Sequence, residues 1–237
     1  MKKTITSIAM IMLSAITTMA QKNGFTESKN QLSLNLGYSL SSGDFSSSNY
    51  ATGGAEFNLN YTRIFGKKQN MGIDILITGI ANGYDINKKG ADVAKNNSAD
   101  FTYKTANLGK LYSTGAYLFG LKTYFPNSNF YGKINIGFAN ATGPQYEVIY
   151  NDKNNVEQGI TIDYKKATGF AYRFAVGYNF SLGESWFLNT EMNTFGCNFA
   201  FNDISATDNR TNVSIKADNE KIKYETLNFL IGVGKRF

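Results

Sequence analysis

The chain of 237 residues carries 24 Lys and Arg against 18 Asp and Glu, a formal net charge of +6, with no His, one Cys, two Pro and 23 Gly. That length predicts one domain. The mean hydropathy of −0.29 excludes a bundle of membrane helices, and the lack of His removes His-dependent acid–base catalysis and the usual zinc and haem sites. The basic excess is too diffuse to predict a nucleic-acid partner.

The N-terminus reads as an export signal. Lys2 and Lys3 form a positive start, Ile5 to Ile16 is an apolar run, and Thr18-Met19-Ala20 supplies small residues before a cleavage point between Ala20 and Gln21. Residues 1–20 are therefore predicted as a signal peptide and residues 21–237 as a barrel domain. Removing Lys2 and Lys3 lowers the formal charge from +6 to +4. No Cys follows the apolar run, which tells against a lipoprotein anchor. Cys197 has no partner for an internal disulfide and reads as a small apolar strand residue.

From there the chain alternates with a period of two. After a polar lead-in to Asn30, the first strand sets Leu32, Leu34, Leu36, Tyr38 and Leu40 against Ser33, Asn35, Gly37, Ser39 and Ser41. Ser42 to Tyr50 reads as a loop. The second strand, Gly53 to Phe65, sets Ala55, Phe57, Leu59 and Tyr61 against Glu56, Asn58, Asn60 and Thr62. A tight turn at 66–70 leads to the third, with Met71, Ile73, Ile75 and Ile77 opposite Asp74 and Thr78; Leu76 and Ile80 are exceptions. A long polar segment with five lysines runs from Gly83 to Leu111, with room for part of it to extend the flanking strands. The fourth strand, Tyr112 to Phe125, and the fifth, from Phe130, flank a turn at Pro126-Asn127-Ser128-Asn129. Asn140 to Lys166 reads as a second long polar loop. The sixth strand alternates from Gly169 to Phe180. The seventh, from Trp186, loses its pattern at Phe195, Cys197 and Phe199, which points to a bulge. Asn202 to Lys221 is the last long loop.

The eighth strand, Tyr224 to Phe237, places Leu227, Phe229, Ile231 and Val233 on one face, with Thr226, Asn228, Gly232 and Gly234 on the other. It has the length to cross a bilayer as a tilted strand, about 9–11 residues. Connections alternate long and short along the chain. This predicts an all-β fold: an eight-stranded antiparallel up-and-down transmembrane β-barrel, with every tight turn at one end.

Three features set the direction of the faces. Small and polar residues fill one side of each strand and suit a narrow eight-stranded interior. Aromatic residues cluster near the short turns (Tyr61, Phe65, Tyr124, Phe125, Phe130, Tyr131, Tyr178, Phe180, Trp186, Phe187 and Phe237), as an interfacial girdle would. The charges Glu56, Asp74, Lys122, Lys133, Arg173 and Glu191 fall on the small-residue face, predicting an interior cluster that pairs across strands. Arg63 and Lys235 break that rule near the short-turn end, where long side chains reach the interface.

On these residues the chain resembles the small eight-stranded outer-membrane barrels, the class of OmpX, OmpW and the OmpA membrane domain. Its short signal ending Ala-Gln-Lys and its Asn-, Lys- and Tyr-rich loops resemble Bacteroidetes members of that group. The resemblance implies location in the outer membrane, contact with its lipid and lipopolysaccharide, and assembly by the barrel-assembly machinery through a C-terminal signal at Phe229, Ile231, Val233 and Phe237. Lys235 departs from the apolar preference of that signal.

The resulting expectation is a non-enzymatic barrel, structural or porin-like, whose external loops bind ligands or surfaces, without cofactor or metal and most simply a monomer. An interior salt-bridge plug is favoured over a pore lining. The alternatives are a lipid A- or phospholipid-modifying enzyme, for which the missing His tells against the resembling families, and a soluble secreted lipid-binding barrel. Lys88, Lys89, Lys95, Lys104 and Lys110 read as solvated loop residues in reach of lipopolysaccharide phosphates.

Overall fold

The computed structural model describes residues 29–65, 70–96, 101–108, 111–152 and 154–237. The expected signal peptide, most of the lead-in and most of the turn at 66–70 lie outside the described residues.

In chain order the elements are β1 (Asn30–Ser41), α1 (Gly43–Ser47), β2 (Ala51–Phe65), β3 (Met71–Tyr84), α2 (Ile86–Asn96), β4 (Phe101–Leu108), β5 (Tyr112–Tyr124), β6 (Phe130–Thr142), β7 (Gln145–Asp152), β8 (Glu157–Tyr164), β9 (Lys166–Leu182), β10 (Trp186–Phe201), β11 (Ile204–Asp208), β12 (Ser214–Lys216) and β13 (Glu220–Arg236). Eight strands close a barrel in the order β1-β13-β10-β9-β6-β5-β3-β2, and β12-β11-β8-β7-β4 form a second sheet. Every pairing is antiparallel, and β1 joins β13 from Gln31↔Arg236 to Ser41↔Thr226. The first and last strands thus close the barrel, as an up-and-down order requires.

One circuit through paired residues runs from Lys235 through Leu32, Tyr61, Ile75, Phe119, Ile136, Tyr172 and Gly196 to Glu225. It returns to β13 ten residues from its start, and such a stagger tilts the strands by about 40°. Leu227 to Phe237, at about 3.3 Å per residue on that tilt, rises roughly 25 Å, the height of an outer-membrane apolar band.

Alternation decides which side chain goes where. The aliphatic and aromatic faces point outward: Leu36, Ile75, Tyr117, Phe138 and Ile231 are all exposed. Inward positions hold Asn35, Asn58, Thr78, Asn135, Asn179 and Asn193, all buried. A soluble lipid-binding barrel has the opposite polarity, so the soluble alternative does not fit this protein. The chain has the architecture of an outer-membrane β-barrel.

The structure corrects the sequence reading in three respects. The expected loop from Ser42 to Tyr50 contains the short helix α1, which drops Phe45, fully buried, into the barrel mouth. The long polar segments build the second sheet, with β7 and β8 inside the stretch Asn140–Lys166, β4 before Leu111, and β11 and β12 between Asn202 and Lys221. There is no bulge in upper β10: it pairs without slip with β13 from Trp186 to Phe201 and with β9 from Trp186 to Cys197. Phe195, Cys197, Phe199 and Phe201 continue the inward face of Glu191 and Asn193. The strand kept its phase while the chemistry of its inner face changed. A register shift of the barrel lies instead where β2 pairs with β3, between Ala51 and Gly54.

The closing seam depends on a missing side chain. Gly37 faces inward opposite Leu230, and a Cβ there would meet the Phe229 carbonyl and the Leu230 side chain. Gly37→Leu is therefore expected to force β1 from β13 and destabilise the barrel by about 1–3 kcal/mol. The check is the folded fraction, read as heat-modifiable gel mobility across a urea series; an unchanged midpoint would contradict the seam constraint.

Candidate functional site

The lumen at membrane level is filled by the charges that the sequence placed there. Arg173 on β9 crosses it, donating from Nη2 to Glu191 Oε1 on β10 at 2.5 Å and lying 3.5 Å from Glu56 Oε1 on β2. Lys133 on β6 sits 3.2 Å from Glu191 Oε2 and 3.7 Å from Asp74 Oδ1 on β3. Five of the six predicted residues therefore form one network, Glu56–Arg173–Glu191–Lys133–Asp74, that ties five strands across the lumen.

Polar neighbours complete the acids and Lys133, whereas Arg173 Nε and Nη1 are buried without a hydrogen-bond partner among the described residues. Thr62 Oγ1 and Asn135 Nδ2 donate to Asp74 at 2.7 and 2.9 Å. Asn193 Nδ2 and Thr78 Oγ1 donate to Glu56 at 3.2 and 3.3 Å. Lys133 Nζ also donates to Asn60 Oδ1 at 3.0 Å. Arg173 and Asp74 are 0% exposed, and Glu191, the most exposed of the network, is 5%. Charges this deep are tolerated because each meets an opposite charge, and the acids and Lys133 take further hydrogen bonds.

Lys122 stands apart from the network. It donates to Gln31 Oε1 at 3.2 Å and lies 4.1 Å from the centre of the Tyr131 ring, a cation–π contact. The level it occupies is an aromatic floor that the sequence reading assigned to the exterior. Tyr124, Tyr131 and Phe187 belong to the inward parity of β5, β6 and β10 and are buried, so they are not part of the girdle. Tyr124 O–H donates to Gln31 Oε1 at 2.7 Å, and Tyr131 O–H donates to Glu191 Oε2 at 2.9 Å. Asn189 Nδ2 donates to the Tyr131 oxygen and to Asn179 Oδ1, each at 2.7 Å. Phe65, Phe125, Trp186 and Phe237 do point outward at this end. Arg236, on the inward face of β13 with its guanidinium 5.2 Å from the Phe187 ring, was missed by the sequence reading. Strand parity was the signal for all four; adjacent outward aromatics hid it.

The mouth is closed by a second aromatic layer. Phe45 packs against Tyr224 and Tyr112, with ring centres 4.1 and 5.0 Å apart. Phe195, Phe199, Phe201, Ile80, Leu76 and Leu118 belong to the same buried cluster. Tyr84 stacks on Tyr146 of β7 at 5.3 Å, which joins the barrel to the second sheet. Tyr164 O–H donates to Glu220 Oε2 at 2.5 Å. Burial, with Tyr146 and Glu220 nearby, pushes the Tyr164 phenol well up from its usual range, so it stays protonated and keeps that bond.

The predicted residues of the C-terminal signal and of the short-turn rim are outward. Phe229, Ile231, Val233 and Phe237 are exposed on the apolar belt. Arg63 donates from Nη1 to Asn30 Oδ1 at 2.7 Å, and Lys235 lies 5.6 Å from the Trp186 ring; both sit at the short-turn end. Lys88 and Lys89 of α2 face the Tyr50 ring at 5.9 and 5.1 Å. The side chains of Lys95 and Lys104, and all of Lys110, lie outside the described residues. Cys197 is buried in the mouth cluster, as a small apolar residue.

No family model and no curated protein matches this sequence. Solved structures with a similar fold include a major outer membrane protein from Thermus thermophilus, at 10% identity and TM-score 0.47, over 88% of this chain and 99% of that one. Ail, the attachment invasion locus protein of Yersinia pestis, is also 10% identical, with TM-score 0.41 over 88% and 99%. The outer membrane protein OprG from Pseudomonas aeruginosa is 11% identical, with TM-score 0.42 over 89% and 97%.

The network geometry predicts a sharp asymmetry between variants. Arg173→Ala leaves Glu56 and Glu191 buried without their shared cation and is expected to cost about 3–5 kcal/mol. Replacing all three at once, Glu56→Gln, Arg173→Met and Glu191→Gln, is expected to cost less. Urea unfolding of the refolded barrel in micelles measures both, and a triple variant weaker than Arg173→Ala would refute mutual neutralisation.

Proposed function

We propose that this chain, an eight-stranded barrel of the outer-membrane type, is a non-enzymatic integral protein of the outer membrane whose lumen is a structural plug and whose long-loop end is its working surface. The observation that carries this reading is the closed lumen: a buried ion network at mid-height, between an aromatic floor and an aromatic mouth.

A pore lining needs charges that face water and exchange partners with passing solutes. Here the acids are each engaged by Arg173 or Lys133 and by amide or hydroxyl donors, with almost no exposure. The outward apolar face supports a membrane setting, because an exterior of Leu, Ile, Phe and Val is stable only against hydrocarbon. Lipid and lipopolysaccharide are then the natural neighbours of the belt. The closed strand order leaves the barrel no free edge, which supports a monomer. The outward Phe229, Ile231, Val233 and Phe237 suit recognition by the barrel-assembly machinery.

The enzymatic alternative loses support from chemistry. The sequence has no His, and the lumen carboxylates are committed to ion pairs that hold the walls together. What the second sheet offers instead is an extramembrane surface, since β4, β7, β8, β11 and β12 extend the wall beyond the barrel mouth. Such extensions carry the variation in function on rigid scaffolds.

Planar-bilayer recording tests the plug directly. The wild-type protein is expected to give no stable openings. Stable openings in the wild type that change with Arg173→Ala or Glu191→Ala would overturn the plug and favour a porin-like role.

A further inference from the structure

Among the buried rings described at the mouth, Phe45 alone does not stand on a strand. It comes from α1 and is that helix's one buried residue; Gly43, Asp44, Ser47 and Ser48 are exposed. Among the described residues, the hydrogen bonds of Gly43 to Ser48 stay within the loop 42–50. A five-residue helix does not persist without outside packing, so a single ring holds this segment down. The chain is fixed on either side of it. Ser42 N–H donates to the Glu225 carbonyl at 3.0 Å, and Asp85 N–H donates to the Tyr50 carbonyl at 2.8 Å. Gly43 and Tyr50 turn the chain at the two ends with φ of 55° and 54°, and at Tyr50 that left-handed conformation is strained.

The space that Phe45 fills has walls of its own. Its ring centre lies 4.1 Å from that of Tyr224 and 5.0 Å from that of Tyr112, the second contact edge-on at 68°. Tyr224 is backed by Phe195 and Phe199, each at 5.8 Å, and Tyr112 by Tyr84 at 5.8 Å. Tyr224 O–H also donates to Asn82 Oδ1 at 2.6 Å. These residues stand on β3, β5, β10 and β13, so they keep their places when α1 lifts. One contact does not survive. Tyr112 O–H donates to the Asn49 carbonyl at 3.2 Å, and that acceptor leaves with the segment. A buried hydroxyl without an acceptor is unfavourable, so whatever replaces Phe45 has to bring one.

We infer that Phe45 is a built-in occupant of a binding pocket at the mouth, and that this pocket takes a small aromatic compound carrying a hydrogen-bond acceptor beside its ring. The ring replaces Phe45 between Tyr224 and Tyr112, whose faces and edges favour an aromatic ring over a saturated one. The acceptor replaces the Asn49 carbonyl on Tyr112. Phe45 competes with the compound, so affinity falls in proportion to how rarely the segment is lifted. The Glu56–Arg173–Glu191 pairs lie deeper in the lumen and stay intact, so the compound binds at the mouth without passing through. This inference rests on the reading of the long-loop end as the working surface.

The test titrates the refolded full barrel in micelles with benzamide, which has both ring and acceptor, and with acetamide, which has the acceptor alone, read by NMR. Benzamide is expected to give saturable shifts at Tyr112 and Tyr224 and to mobilise the amides of Gly43 to Ser48, while acetamide gives neither. Phe45→Ala removes the competitor and should bind benzamide about tenfold tighter. Tyr112→Phe removes the donor and should bind it about fivefold more weakly. No saturable shift in the wild type overturns the pocket, as does an equal response to acetamide. An unchanged affinity in Phe45→Ala overturns the competition, and an unchanged affinity in Tyr112→Phe overturns the role of the acceptor. Should Phe45→Ala fail to refold, the wild-type and Tyr112→Phe titrations decide the matter. Mouth shifts that continue through Asn58 and Arg173 would support the pocket but defeat the plug reading instead.

Discussion

Closure of eight strands on themselves is the constraint on which the rest depends. Once Gln31 to Ser41 pairs with Thr226 to Arg236, every strand has one face toward a narrow lumen and one toward the surroundings. A side chain has no third option. The lumen of eight strands is too tight for two rows of large residues, so small and polar residues turn inward and the large apolar ones turn out. Gly37 and Gly234 sit where even a Cβ would press on a neighbour, Leu230 in one case and the Phe187 ring in the other.

A polar interior then has to neutralise itself. Arg173 and Lys133 each contact two acids, and Glu191 contacts both bases. In such an arrangement no single pair holds the network; each charge is there to make the others tolerable. Buried ion pairs stabilise little relative to an apolar core, but losing one partner is costly. That asymmetry favours specificity of register over raw stability. A one-residue slip of any wall would send its charge into the lipid, so the network also selects the correct pairing of β2, β3, β6, β9 and β10.

Much of this was legible in the sequence because the period of two is a local signal. Leu32 to Leu40 and Phe170 to Phe180 displayed it almost without exception, and the six inner charges fell on the correct parity. Two kinds of feature were not legible. Where both parities are aromatic, as at Tyr124-Phe125 and Phe130-Tyr131, hydrophobicity cannot tell inside from outside. The second sheet was hidden for a different reason. Its strands, such as Glu157–Tyr164 with Thr161, Asp163 and Gln158 half-exposed, leave most of their surface in water and so read as polar loop. Their pairing partners are distant in sequence, and no local pattern announces them.

The apparent break in β10 shows where the two regimes meet. Along its inward face Asn189, Glu191 and Asn193 give way to Phe195, Cys197, Phe199 and Phe201. On β13 the inward Asn228 and Thr226 give way to Tyr224 and Ile222, while the outward Phe229 and Leu227 give way to Glu225, Lys223 and Lys221. The switch falls within one inward step on the two strands, since Asn193 pairs with Asn228, Phe195 already faces Thr226, and Cys197 pairs with Tyr224. Below it the barrel is oily outside and polar within; above it the polarity inverts to that of a soluble protein. A change of solvent explains such an inversion without any change of backbone. Hydrocarbon outside requires apolar side chains there, and water outside allows lysines while the aromatic residues move to the core. The step from Leu227 to Glu225 therefore marks the outer edge of the hydrocarbon on this wall, set by the side chains alone while the strands run through it unbroken.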